Sequence, residues 1–144
     1  MTKVEIAWVQ TSFDELQYED EAPFFLFARG NSLIYIGLSF ESSVRFEILS
    51  NIKRLELEKQ GLMIFIGNIV KSNQKITRQL VEDCKCLLIY CNQPDENKQC
   101  KQNYDLTNHI DDLIINCQRT EILHKLLHQH IQAFRGIITP NPFI

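Results

Sequence analysis

Two short apolar blocks, Phe24 to Ala28 and Leu33 to Ile36, flank Arg29-Gly30-Asn31. Neither block has helical spacing, and a glycine-centred break between two such runs signals a tight reversal of the chain. An antiparallel pair of strands is therefore expected. The second strand runs into Tyr35-Ile36-Gly37, and a short polar link carries the chain into Glu41 to Gln60. There Val44, Ile48, Ile52 and Leu55 recur at intervals of three and four residues, which predicts a long helix. Ser39 or Ser42 would cap its start and Gly61 would end it. This order of strand, sharp exit and helix would bring the phenol of Tyr35 close to the guanidinium of Arg45, which stands eight residues past Gly37. Such a pair suits phosphodiester chemistry, because arginine offers a rigid fork of donors to phosphate oxygens.

The rest of the chain is consistent with one layered domain. Residues 3–10 alternate weakly and are expected as an edge strand, and Thr11 to Glu21 as an irregular segment anchored by Phe13 and Leu16. Leu62 to Val70 is apolar on both faces, which predicts a central strand. Ile76 to Cys91 is expected as a second helix with Ile76, Leu80, Cys84, Leu87, Leu88 and Cys91 as its buried stripe. Gln93-Pro94 would close it, with a polar loop from Pro94 to Asn108. A short strand at Leu113 to Ile115 and a third helix over Thr120 to Phe134 follow, and Thr139-Pro-Asn-Pro would end ordered structure. The sum is a single α+β domain over residues 1–144, with a small mixed or antiparallel sheet of three or more strands packed with helices. Residues 1–21 form an acidic N-terminal segment, and residues 118–144 a C-terminal helix and tail.

Charge argues against a strong nucleic-acid field, since the formal net charge is −3. The acids are concentrated, however: residues 1–21 carry six acids and one base, leaving 14 bases against 12 acids in the remainder. A local basic patch is compatible with that balance, and Lys71, Lys75 and Arg78 form one small cluster. The acidic head reads as a solvated face, or as a cover for a basic groove or a contact for a partner. Five unevenly spaced cysteines read as reduced thiols in a cytoplasmic protein. Nothing at the start resembles a secretion leader, and no apolar run is long enough to cross a membrane. Neither a monomer nor a homodimer is specified.

This order of elements resembles the GIY-YIG nuclease superfamily over roughly residues 22–117. Tyr35-Ile36-Gly37 matches the second of the family's two strand motifs, Arg45 stands at the spacing of its helical arginine, and Leu62 to Val70 looks like its third strand. Pro94-Asp95-Glu96-Asn97 is similar to the family's proline followed by asparagine three residues on, and Leu113 to Asn116 to a terminal strand of many relatives. The resemblance implies one-metal phosphodiester hydrolysis in which Tyr35 activates water, Arg45 clamps phosphate and a carboxylate holds magnesium or manganese.

Three positions depart from that pattern. The tyrosine of the first motif appears as Phe24, or as Phe25 if the loop shifts the match, and phenylalanine cannot exchange a proton. Leu38 replaces a lysine common after the glycine. Counting back from Pro94 places Lys85 where the metal-binding glutamate is expected. Glu82 lies one helical turn earlier and is the alternative ligand. These departures favour a catalytically degenerate relative that binds DNA or a protein partner, in which Arg45, Lys71, Lys75, Arg78 and Lys85 would meet phosphate. An active endonuclease using Tyr35, Arg45 and Glu82, and an unrelated protein-interaction domain, are the alternatives. Each role has a plainer rival: a core-closing strand tyrosine, a helix arginine paired with Glu41, and a solvated helix glutamate. His124 and His128 have zinc-compatible i, i+4 spacing on the third helix, but read as a surface pair.

Overall fold

A computed structural model describes residues 1–102 and 112–140. The strands are β1 (Thr2–Thr11), β2 (Phe24–Arg29), β3 (Ser32–Leu38), β4 (Met63–Ser72), β5 (Leu113–Gln118), β6 (His130–Phe134) and β7 (Ile137–Thr139). The helices are α1 (Val44–Arg54) and α2 (Arg78–Asn92). All the strands join one seven-stranded mixed sheet in the order β3-β2-β4-β1-β5-β6-β7. The architecture is a small α+β domain with two helices packed on the sheet.

The expected hairpin forms β2 and β3, with Gly30 in the left-handed region at φ 57°. Its period of two explains the two-sided burial. Phe24, Leu26 and Ala28 enter a core with β1, β5 and α2, while Phe25 and Phe27 enter a second core with Val44, Ile48 and Ile52 of α1. The two helices thus cover opposite faces of the sheet, and β2 and β4 are sandwiched between them. Gly37 stands opposite Phe25, and a Cβ added there would come within 2.1 Å of the ring. The glycine of the Tyr-Ile-Gly motif is therefore required by packing against Phe25.

Helix α1 is shorter than the periodic stretch suggests. Ser43, rather than Ser39 or Ser42, caps it by accepting a hydrogen bond from the Phe46 amide. Its end is a Schellman motif: Glu56 takes a left-handed conformation (φ 54°), its amide donates to Lys53 O, and the Leu57 amide donates to Ile52 O. Leu57 and Ile52 meet in the same core. Gly61 belongs instead to the turn that starts β4. In α2, Thr77 caps the start by accepting from the Leu80 amide, so Ile76 falls outside the helix and is 43% exposed.

Two further expectations are corrected. Strand β1 is internal: it pairs antiparallel with β4 and parallel with β5. The third helix over Thr120 to Phe134 does not exist. A single 3-10 turn at Leu123–Lys125 is followed by β6 and β7. Ile131 and Ala133 are buried while His130 is exposed, so the period there is two. Arg135 (φ 50°) and Gly136 (φ 80°) are both left-handed, as a two-residue hairpin turn of the primed type requires. The apolar residues of this stretch fit a helix template because Leu123, Leu127 and Ile131 fall four apart. The outer edge of β5 selects the strand instead. The histidine pair accordingly loses its shared helix. The remainder of the loop expected to reach Asn108, and the tail past Pro140, lie outside the described residues.

The cysteines also differ from expectation. Cys86 on α2 and Cys100 in the following loop are joined as a disulfide, with Cα atoms 5.2 Å apart. Cys84, Cys91 and Cys117 are free and buried. Burial pushes the Cys91 thiol up to about 12 and that of Cys117 up to about 11, and raises Cys84 further still.

Candidate anion-binding cleft

The outer edge of β3 is closed by the loop after α2. Asp95 N donates to Leu33 O at 3.1 Å and Glu96 N to Ile34 O at 2.8 Å. Asn97 continues the pattern with its side chain: Oδ1 accepts from the Ile36 amide at 2.9 Å and Nδ2 donates to Ile36 O at 3.0 Å. Asn97 is buried, and Ile36 is fully so. A primary amide offers the same donor and acceptor pair as a peptide group, so Asn97 satisfies an edge residue that has no neighbouring strand. The asparagine of the Pro-x-x-Asn spacing is thus a strand mimic. The loop is secured further by Lys101 Nζ donating to Pro94 O at 2.7 Å and by the disulfide to α2.

Beneath this loop lies a cleft of about 300 Å³ lined by Tyr35, Arg54, Lys85, Ile89, Glu96, Asn97, Lys98 and Gln99. Tyr35 projects from β3, its ring stacked on Phe27 with centroids 6.1 Å apart. Its hydroxyl accepts a hydrogen bond from Arg54 at 3.2 Å, and Asn51 Oδ1 holds that guanidinium at 2.7 Å. Lys85 approaches from α2. Burial holds its ammonium below the ordinary lysine value of 10.5, with Glu82 opposing the shift and Arg78 adding to it. Three cationic side chains therefore face one carboxylate, that of Glu96.

The expected residues divide sharply. Tyr35, Asn97 and Lys85 come together in the cleft. Arg45 is engaged elsewhere: its guanidinium donates to Phe13 O at 3.2 Å and to Leu16 O, and lies over the rings of Phe13 and Tyr18. It pins the N-terminal segment to α1, and no pairing with Glu41 is made. Glu82 is half-exposed, forms a 3.3 Å ion pair with Arg78 and does not line the cleft. Lys71 and Lys75 are exposed at the end of β4 and in its connection to α2, away from the cleft lining. Phe24 faces the α2 core beside Trp8, whereas Phe25 shares the Tyr35 face at 6.0 Å. Arg54 and Lys98 were not foreseen. Arg54 follows no motif spacing, and only the last turn of α1 passing over Tyr35 recruits it.

A divalent ion asks for carboxylate and other oxygen donors. The cleft presents Arg54, Lys85 and Lys98 against Glu96 alone, and this set does not fit magnesium or manganese. Among the described residues, no group of three or more histidine, cysteine or acidic side chains is placed to hold a metal. Asp83, the other acid on this part of α2, is fully buried and accepts a hydrogen bond from Gln79 at 2.8 Å. No helix among the described residues is long and apolar enough to cross a membrane. Compared with known proteins, the chain matches no family model, no curated protein and no solved structure.

Proposed function

We propose that this is a nuclease-like domain of the GIY-YIG type that binds the phosphate backbone of DNA without cleaving it. The observation that carries the reading is Lys85, a partly buried ammonium in the same cleft as Tyr35 and Arg54. An ammonium desolvated beside two further bases gains from an anion, and phosphate supplies one. The Tyr35 hydroxyl and the Arg54 fork provide directed hydrogen bonds to phosphate oxygens, while Lys85 and Lys98 supply charge. Arg45 takes no part, because its donors serve the carbonyls of Phe13 and Leu16.

The test is fluorescence anisotropy with labelled single- and double-stranded DNA in EDTA, across a salt series. Three phosphate-facing cations give a log–log salt slope of about −2 to −3. Arg54→Ala and Lys85→Ala should each weaken binding and make the slope shallower by about one phosphate contact, whereas Lys71→Ala should change affinity little. Equal affinity in both cleft variants would refute the reading. Cleavage in magnesium or manganese that disappears in Glu82→Gln would instead support the metal-dependent alternative and overturn binding without cleavage.

A further inference from the structure

A second concavity lies at the opposite end of α1 from the cationic cleft. It is a groove of about 800 Å³ between the segment Tyr18 to Pro23, the Ser39 to Ser43 link, Asn68 and Ile69 of β4, and Ile76 in the connection to α2. Its floor is apolar, with Phe40, Ile69 and Ile76 partly uncovered and Ile76 43% exposed. Tyr18 stands at its edge, 72% exposed. The rim carries Glu19, Glu21 and Glu41 together with Asp20, whose carboxylate accepts from the Gln17 amide at 2.8 Å, and no basic residue lines the groove. None of these three glutamates has an ion-pair or side-chain hydrogen-bond partner among the described residues.

We infer that this groove docks a short segment of a protein partner that combines basic and apolar side chains. Apolar floor and acidic rim occur together, so neither component alone decides the occupant. The uncovered Ile76, Ile69 and Phe40 favour aliphatic or aromatic anchors over a purely polar ligand. Three unpaired carboxylates with no compensating base select positive charge and repel anionic surfaces such as nucleic acid or acidic lipid. The amino end of α1 opens beside the groove, but its partial charge of about half a unit is smaller than that of the three carboxylates.

Arg45 is one of the anchors that shape the groove, together with buried Leu16 and Ala22 and with Ser39, which donates to the carbonyls of Ala22 and Pro23. By holding the carbonyls of Phe13 and Leu16, the arginine folds the acidic segment back against α1 and so builds one wall. This inference is independent of the DNA reading, because the two surfaces share no residue.

The probe is a labelled hexapeptide of alternating arginine and leucine, titrated by anisotropy and by amide chemical-shift mapping. A lysine–glycine hexapeptide of the same charge serves as control. Saturable binding is expected, with shifts gathered at Tyr18 to Ala22, Phe40 to Ser43, Asn68, Ile69 and Ile76. The triple variant Glu19→Gln, Glu21→Gln, Glu41→Gln should weaken it at least tenfold, as should Ile76→Ser. Both variants change exposed side chains, and an amide spectrum dispersed like that of the unaltered protein checks that each remains folded. No saturation below millimolar peptide, equal binding of the lysine–glycine control, or shifts lying elsewhere would overturn the inference. So would a homodimer in solution whose interface covers Ile69 and Ile76.

Discussion

Replacing Asn97 with alanine removes both hydrogen bonds to Ile36, at 2.9 and 3.0 Å, from a residue that is itself fully buried. Exposed hydrogen bonds would cost about 0.5–1.5 kcal/mol each, but orphaned buried groups cost about 1–3 kcal/mol apiece. Water cannot readily replace the amide unless the loop lifts, and lifting also breaks the bonds from Asp95 and Glu96 to Leu33 and Ile34. The expected loss is therefore about 2–4 kcal/mol. With a urea m-value of about 2 kcal/mol/M, the midpoint should fall by about 1–2 M without a change in m. Asn97→Asp distinguishes the two bonds: the acceptor for the Ile36 amide survives, but the donor to Ile36 O becomes a carboxylate oxygen facing a carbonyl. Near neutral pH, Asn97→Asp should be destabilised, and its stability should recover as acid protonates the new carboxyl and restores a donor. Hydrogen exchange at the Ile36 amide should quicken in Asn97→Ala. A midpoint shift below about 0.3 M with unchanged Ile36 protection would refute the strand-mimic role.

Gly37→Ala should cost about 1–3 kcal/mol in denaturant unfolding, because its Cβ would meet the Phe25 ring, and Phe25→Leu should recover part of that loss. The pKa of Lys85 is lowered on folding, so the unfolded chain binds more protons between its folded value and 10.5. The Lys85 contribution should therefore become less unfavourable as pH rises through that window, a gain absent from Lys85→Met in urea titrations. DNA affinity should fall over the same rise in pH. Arg45→Ala should leave DNA binding intact while making the Thr11–Glu21 segment sensitive to limited proteolysis, since Phe13 O and Leu16 O lose their donor. Mutating both Cys86 and Cys100 to serine should lower stability by about 3 kcal/mol, since the disulfide spans a sequence separation of 14 residues.

Local pattern was a good guide where the apolar residues of an element enter the core over most of its length. The hairpin, β4 and α2 were legible for that reason. Period alone misread residues 120–134, where Leu123, Leu127 and Ile131 fit a helical template but the open edge of β5 takes Ile131 and Ala133 into a strand. The ends of α1 were missed because capping depends on backbone conformation at Ser43 and Glu56, and glutamate does not advertise a left-handed residue. The site was half legible. Tyr35 stood out at the end of its strand, Lys85 and Asn97 only through the family resemblance, and the fold brings all three into one cleft. The guanidinium of Arg45, expected beside Tyr35, turns instead to the N-terminal segment, and that of Arg54 donates to the Tyr35 hydroxyl.

By itself the sequence determined a small α+β domain. The two-sided apolar strands and the amphipathic helices leave sheet-and-helix packing as the way to bury them. It also determined an antiparallel hairpin whose second strand runs into Tyr35-Ile36-Gly37. Only the tertiary structure decided which charges share a cleft. Reach from a helix end, the return of the loop over β3 and the competition of backbone carbonyls for a guanidinium are set by chain packing between residues distant in sequence, and no local spacing encodes them.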